Sequence, residues 1–164
     1  MKRFISDPLA VPPPGEGYSW SSAELIVYGV DHLGPSYEVR VFLEAPDADV
    51  TTPLTPETGY AGGFTVFGHG GCFGDDGHCD PADRYVDEYD VRLPHQSLPQ
   101  TKVVDVTAAL HEMQGDAVRV TLVAVEPGED GGPRVSDAFA AEEIRLVTYS
   151  GAGDTGPGGP SEAS

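Results

Sequence analysis

Apolar and polar residues alternate along much of this chain, and a period of two marks a strand with one buried face. In residues 37–43, Tyr37, Val39, Val41 and Leu43 share one face, with Glu38, Arg40 and Phe42 on the other. Residues 23–30, Ala-Glu-Leu-Ile-Val-Tyr-Gly-Val, form a β-rich run that ends before the break at Gly34-Pro35. Residues 60–67 set Phe64 and Val66 against Thr65 and Phe67, and 87–93 read as a strand stopped by Pro94. Residues 101–106 are a further β-branched run. The strongest strand signal is 117–125, where Val118, Val120 and Leu122 alternate against Arg119 and Thr121. Residues 143–149 close the pattern, with Ile144 and Leu146 facing inward.

One segment departs from this period. Residues 107–113, Thr-Ala-Ala-Leu-His-Glu-Met, predict one or two helical turns, because Val106 and Leu110 are four apart and Gly115 is a natural stop. The loop 50–59, with Pro53 and Pro56, is long and polar, and Gly131-Gly132-Pro133 predicts a turn. Strands separated by Pro/Gly turns predict an all-β chain. The expectation is an antiparallel β-sandwich or barrel of about seven strands, with one short helix plugging an end. Residues 1–20, with a Pro-Pro-Pro-Gly run, predict an extended N-terminal arm, and 21–150 the folded domain. Residues 151–164, rich in Gly, Pro and Ser, cannot bury a core and predict a disordered tail. Trp20 and Tyr18 are candidates for docking the arm.

Charge narrows the partner classes. The 164 residues carry 27 acidic against 9 basic side chains, a formal net of -18. Phosphate binding needs a basic surface, so no nucleic-acid partner is expected, and anionic membranes are disfavoured for the same reason. Acidity predicts solubility and attraction to cations or basic partners. The opening Met-Lys-Arg-Phe-Ile-Ser-Asp-Pro mimics the basic start of a secretion signal, but Asp7 and Pro8 interrupt any apolar region after it. The expectation is a cytoplasmic protein, with export alongside a signal-bearing partner left open.

Chemistry concentrates in one place, His69-Gly-Gly-Cys72-Phe73-Gly-Asp-Asp-Gly-His78-Cys79-Asp80. It holds both cysteines and two of the five histidines. Three readings compete. In the first, His69, Cys72, His78 and Cys79 form a soft metal site, since thiolate and imidazole suit Cu(I) and Zn(II). Transient Cu(I) is favoured over structural zinc, because the paired Cys-x-x-Cys spacing of zinc sites is missing and His78 and Cys79 are adjacent. In the second, a Cys72–Cys79 disulfide braces the loop, contributing roughly 2–3 kcal/mol by chain entropy. In the third, no metal binds, and thiols and imidazoles pack and bond to loop backbone. Asp75-Asp76-Gly77 resembles a fragment of a calcium loop but lacks its other spaced carboxylates.

Elsewhere the candidates are weaker. There is no Gly-x-Ser-x-Gly nucleophile context and no Gly-rich phosphate loop. His95 and His111 read as surface or packing histidines, and Glu142-Glu143 as an acidic surface pair.

Several strand motifs, in order, resemble one known family. They are Tyr37-Glu-Val-Arg-Val-Phe-Leu, Tyr60-Ala-Gly-Gly-Phe-Thr-Val-Phe-Gly-His, Lys102-Val-Val-Asp-Val-Thr-Ala-Ala-Leu, Val118-Arg-Val-Thr-Leu-Val-Ala-Val and Glu143-Ile-Arg-Leu. This order resembles the C-terminal domain of tyrosinases and polyphenol oxidases, over roughly residues 25–149. The resemblance implies a β-sandwich that packs over the mouth of a type-3 copper site, keeps the enzyme latent and, in some members, helps load copper. A tyrosinase holds two coppers through six histidines on a four-helix bundle. This chain has five histidines, His32, His69, His78, His95 and His111, and no long helical pattern. The catalytic domain is therefore not expected within it. Fungal relatives load copper through a Cys-x-x-Cys loop, whereas here six residues separate Cys72 from Cys79. Phe73 is the candidate for the apolar side chain that such domains insert into the copper pocket.

These readings converge on a non-enzymatic accessory protein that pairs with a separate tyrosinase-like copper protein, masking its active site, assisting copper loading, or both. The alternative is a structural or self-associating β-sandwich, a homodimer with a disulfide- or zinc-stabilised loop. A catalytic Cys/His metal site with an open position is the third option.

Overall fold

A computed structural model describes residues 3–11, 20–68, 99–113, 115–129 and 131–150. Its strands run in the order β1 (Phe4–Ile5), β2 (Leu9–Ala10), β3 (Ser22–Val30), β4 (Tyr37–Leu43), β5 (Tyr60–Val66) and β6 (Gln100–Asp105). After the helix α1 (Thr107–His111) come β7 (Ala117–Val118), β8 (Val120–Pro127), β9 (Pro133–Val135) and β10 (Glu143–Tyr149). All the strand pairs are antiparallel.

One sheet is built on β8. Strand β4 pairs along one edge of it, with Val41 opposite Leu122, and β5 continues beyond β4. On its other edge lie β1 and, farther along, β9. The second sheet has β3 at its centre, flanked by β10 and β6. Strands β2 and β7 form a separate two-stranded ladder.

The alternation read from the sequence explains how the sheets stack. Tyr37, Val39, Val41 and Leu43 of β4 join Val120, Leu122 and Ala124 of β8 on one inner face. Leu25, Val27 and Val30 of β3, with Val104 of β6, supply the other. Ile144 and Leu146 of β10 pack against this core, as the pattern predicts. Among the described residues the two sheets stack as a sandwich and do not close into a barrel. Gly62 lets the sheet margins approach closely. Its φ is +131°, and a Cβ there would stand 2.9 Å from Val104 Cγ1.

The two outer faces differ. Phe42, Val123 and Val125 project from the outer face of the β8 sheet and are covered by Ala48, Ala45, Val50 and Tyr60. The polar loop 44–59 is thus a cover, which is why β8 is buried on both faces. Thr121 lies on that outer side, and among the described residues its hydroxyl has no hydrogen-bond partner.

Three features depart from the expectation. The strand read over 117–125 is two strands, β7 and β8, parted at Arg119. There Glu44, at φ 51°, takes the Arg119 N–H on its carboxylate. Residues 3–11 are extended, and they also add strands β1 and β2 that the sequence pattern did not predict. Ser6 is buried, donating its N–H to Val120 O at 2.9 Å and accepting the Val120 N–H on Oγ at 3.0 Å. The described residues hold ten strands: six of the predicted seven lie among them, one of these is split into β7 and β8, and β1, β2 and β9, two or three residues long, add the rest. The strand predicted at 87–93 and the tail at 151–164 lie outside the described residues.

Candidate functional site

The register fixes where the Cys/His segment is rooted. Val66, the last residue of β5, pairs with Tyr37 at the start of β4. Gln100, the first of β6, pairs with Val30 at the end of β3. Both roots of the segment therefore lie at the end of the sandwich where β3 hands over to β4. His69, Cys72, Phe73, His78, Cys79 and His95 themselves lie outside the described residues.

What the roots stand on is well defined. Gly68 donates its N–H to Ser36 Oγ at 3.0 Å. A Cβ on Gly68 would collide with the backbone of Gly34 and Pro35, so only glycine fits there. Beneath it, the Tyr37 hydroxyl donates to Asp31 O at 2.8 Å, and the Asp31 carboxylate accepts the Leu33 N–H at 2.9 Å. Phe139 meets the Tyr37 ring edge-on, with centroids 6.2 Å apart. Burial, with the Asp31 charge adding to it, pushes the Tyr37 phenol up to about 12. His32 in the same turn is buried. The base of the segment is thus a packed, hydrogen-bonded turn.

Around that base the surface is apolar and open. Phe67 is 77% exposed and Leu33 is 39% exposed. The outward parity of Phe67 was legible in the alternation, whereas the exposure of Leu33 carries no periodic signal. A groove of about 480 Å³ lies on the outer face of the β8 sheet nearby, bordered by Ser36, Arg40, Thr65, Glu126 and Pro133. Arg40 is already engaged there, with Glu38 at 3.3 Å and Val50 O at 3.0 Å.

The remaining predicted residues serve the fold. Trp20 is buried and stacks on His111 of α1, with ring centroids 4.2 Å apart and 18° between planes. His111 is therefore a packing histidine, and α1 closes the opposite end of the sandwich through Leu110 and Val106. Glu142 lies over Gly29, at φ +67°, where any Cβ would strike its side chain. Among the described residues, no three His, Cys, Asp or Glu side chains converge as metal ligands would. None of the described helices is long and apolar enough to cross a membrane.

No protein-family model matches the chain, and no curated protein matches it. Solved structures do. Recombinantly expressed latent aurone synthase, a polyphenol oxidase, is similar at a TM-score of 0.48 and 18% identity, over 90% of this chain and 24% of that one. The same latent enzyme from its natural source gives a TM-score of 0.49, with the same identity and coverage. The chain spans about a quarter of the length of these proteins. Over 90% of its own length it is thus similar to a part of latent polyphenol oxidases, the family whose C-terminal domain its strand motifs resemble.

Proposed function

We propose that this chain is a non-enzymatic accessory protein of a tyrosinase-like type-3 copper protein, and that it masks the copper site, assists copper loading, or both. The observation that carries this reading is the rooting of the Cys/His segment. Both its ends leave one tip of a rigid sandwich, beside exposed Phe67 and Leu33, in a chain whose motif order resembles the tyrosinase C-terminal domain.

The physical roles divide between scaffold and segment. The sandwich fixes the two roots through the Gly68–Ser36 bond and the Val30–Gln100 pairing. Apolar Phe67 and Leu33 give the tip surface that gains free energy when a partner covers it. Within the segment, Phe73 is the residue we assign to filling the partner's pocket and excluding substrate. His69, Cys72, His78 and Cys79 are the donors we assign to Cu(I), since reduced thiolate and imidazole are its preferred ligands. Zinc on the same four groups, or a Cys72–Cys79 disulfide with no metal, leaves masking as the whole function.

The two halves separate experimentally. The partner copper protein is produced with wild-type chain or with the variant carrying Cys72→Ser and Cys79→Ser, and copper per partner is measured. Loading is expected to fall in the double variant while the pair still forms. Unchanged copper content in an intact pair removes the loading role. Undiminished oxidase turnover in that same pair removes masking.

A further inference from the structure

The two sheets of the sandwich are finished differently. The β8 sheet has its outer apolar residues covered by the loop 44–59. Among the described residues, the outer face of the β10–β3–β6 sheet has no such cover at its margin, where Val103 is 53% exposed. The register places Ile26 beside Val103 on that face, with Val147 one step along on β10. Together they form an apolar diagonal across all three strands.

Several polar groups around this diagonal already have partners within the chain. Arg145 donates to both Glu143 carboxylate oxygens, at 2.7 and 3.0 Å, and lies 5.4 Å over the Tyr28 ring. The Tyr149 hydroxyl donates to Glu24 at 2.9 Å, and Asp105 accepts the Thr107 N–H at 2.9 Å. A partner laid on the diagonal would leave these bonds in place, while Glu24 and Asp105, opposite each other across β3 and β6, would need compensating positive charge from it.

Charge decides the occupant. Glu24, Asp105 and Glu143 outnumber Arg145 on this face, within a chain of net -18. A second copy would bring the same excess of carboxylates against it. We infer that the outer face of the β10–β3–β6 sheet is a docking surface for a protein patch with an apolar centre and a basic rim. Only the identity of that protein, the copper protein proposed above, rests on the functional reading.

Two measurements on the full chain test this. In the first, a cationic strand peptide of alternating lysine and valine is titrated while backbone amide shifts are followed by NMR. Shifts are expected along 24–28, 101–105 and 143–149. Val103→Asp is expected to weaken binding by about tenfold or more, although it adds a negative charge that plain ionic attraction would reward. Binding that is unchanged or tighter in Val103→Asp, or shifts centred elsewhere, overturns the surface. In the second, affinity for the copper protein is compared in wild type, Val103→Asp and Leu54→Asp, the last an exposed leucine on the opposite cover loop. Loss in Val103→Asp alone supports the surface. Equal binding by all three overturns it as the docking face while leaving the accessory role standing. Absence of wild-type binding, with the peptide result intact, removes the accessory role and keeps the surface. A homodimer that forms in about 1 M NaCl, and is lost in Val103→Asp, makes a second copy the occupant and overturns the assignment.

Discussion

Tyr37 ties the candidate site to the fold through a single hydroxyl. It is the first residue of β4, it pairs with Val66, and its hydroxyl holds the turn on which Gly68 rests. Because its phenol is raised from 10.0 to about 12, the linkage has a definite sign. Below pH 10 the phenol is protonated in folded and unfolded chains alike, and its full contribution is present. Between pH 10 and about 12 the unfolded chain releases a proton that the folded chain keeps, so stability falls. Tyr37→Phe is expected to cost about 1 kcal/mol at neutral pH and to flatten that alkaline decline. Urea unfolding at neutral and alkaline pH measures both, and an equally steep decline in the variant would show that another group carries it. The packing of Tyr37 was legible in the sequence from its parity with Val39 and Val41. Its hydroxyl bond was not, because the acceptor is a backbone carbonyl fixed only by the turn.

At the scale of elements, the legible strands are those long enough to show a period. Strands β3, β4, β5, β6 and β10 were each read within one residue of their observed bounds, whereas β8 was read as part of 117–125, three residues early at its start and two at its end. Strands β1 and β2, at two residues, are too short to carry a period, and their pairing is set by contacts more than a hundred residues away in sequence. The break at Arg119 was hidden for a related reason. Val118 and Val120 keep the parity across it, and the cause is the distant carboxylate of Glu44. The N-terminal strap is nevertheless structural. Ser6→Ala would leave the buried Val120 N–H without its partner, and is expected to cost about 1–3 kcal/mol. Amide exchange at Val120 and its neighbours should accelerate in step with the loss seen in thermal unfolding. Unchanged exchange at Val120 would mean that β1 contributes nothing to holding β8.

At the scale of the molecule, the fold separates two tasks. One end is closed by α1 and by the Trp20–His111 stack, and the cover loop seals the outer face of the β8 sheet. The other end carries both roots of the Cys/His segment, and that choice of end follows from register, not from anything local to the segment. Residue types alone nominated His69, Cys72, His78 and Cys79 as donors, while the position of the segment's two roots needed the strand pairing. The geometry of His69, Cys72, His78 and Cys79 falls outside the described residues. Acidity gives any complex of this chain a salt dependence, because a net charge of -18 steers basic surfaces toward it and screening weakens that attraction. The most direct test of the accessory role is co-elution of this chain with a tyrosinase-like copper protein that lacks its own C-terminal domain, at low and high salt. The account predicts a 1:1 complex at low salt that dissociates progressively as salt rises, with oxidase turnover suppressed while the complex persists. Separate elution at every salt concentration, with turnover unaffected by excess of this chain, would contradict it.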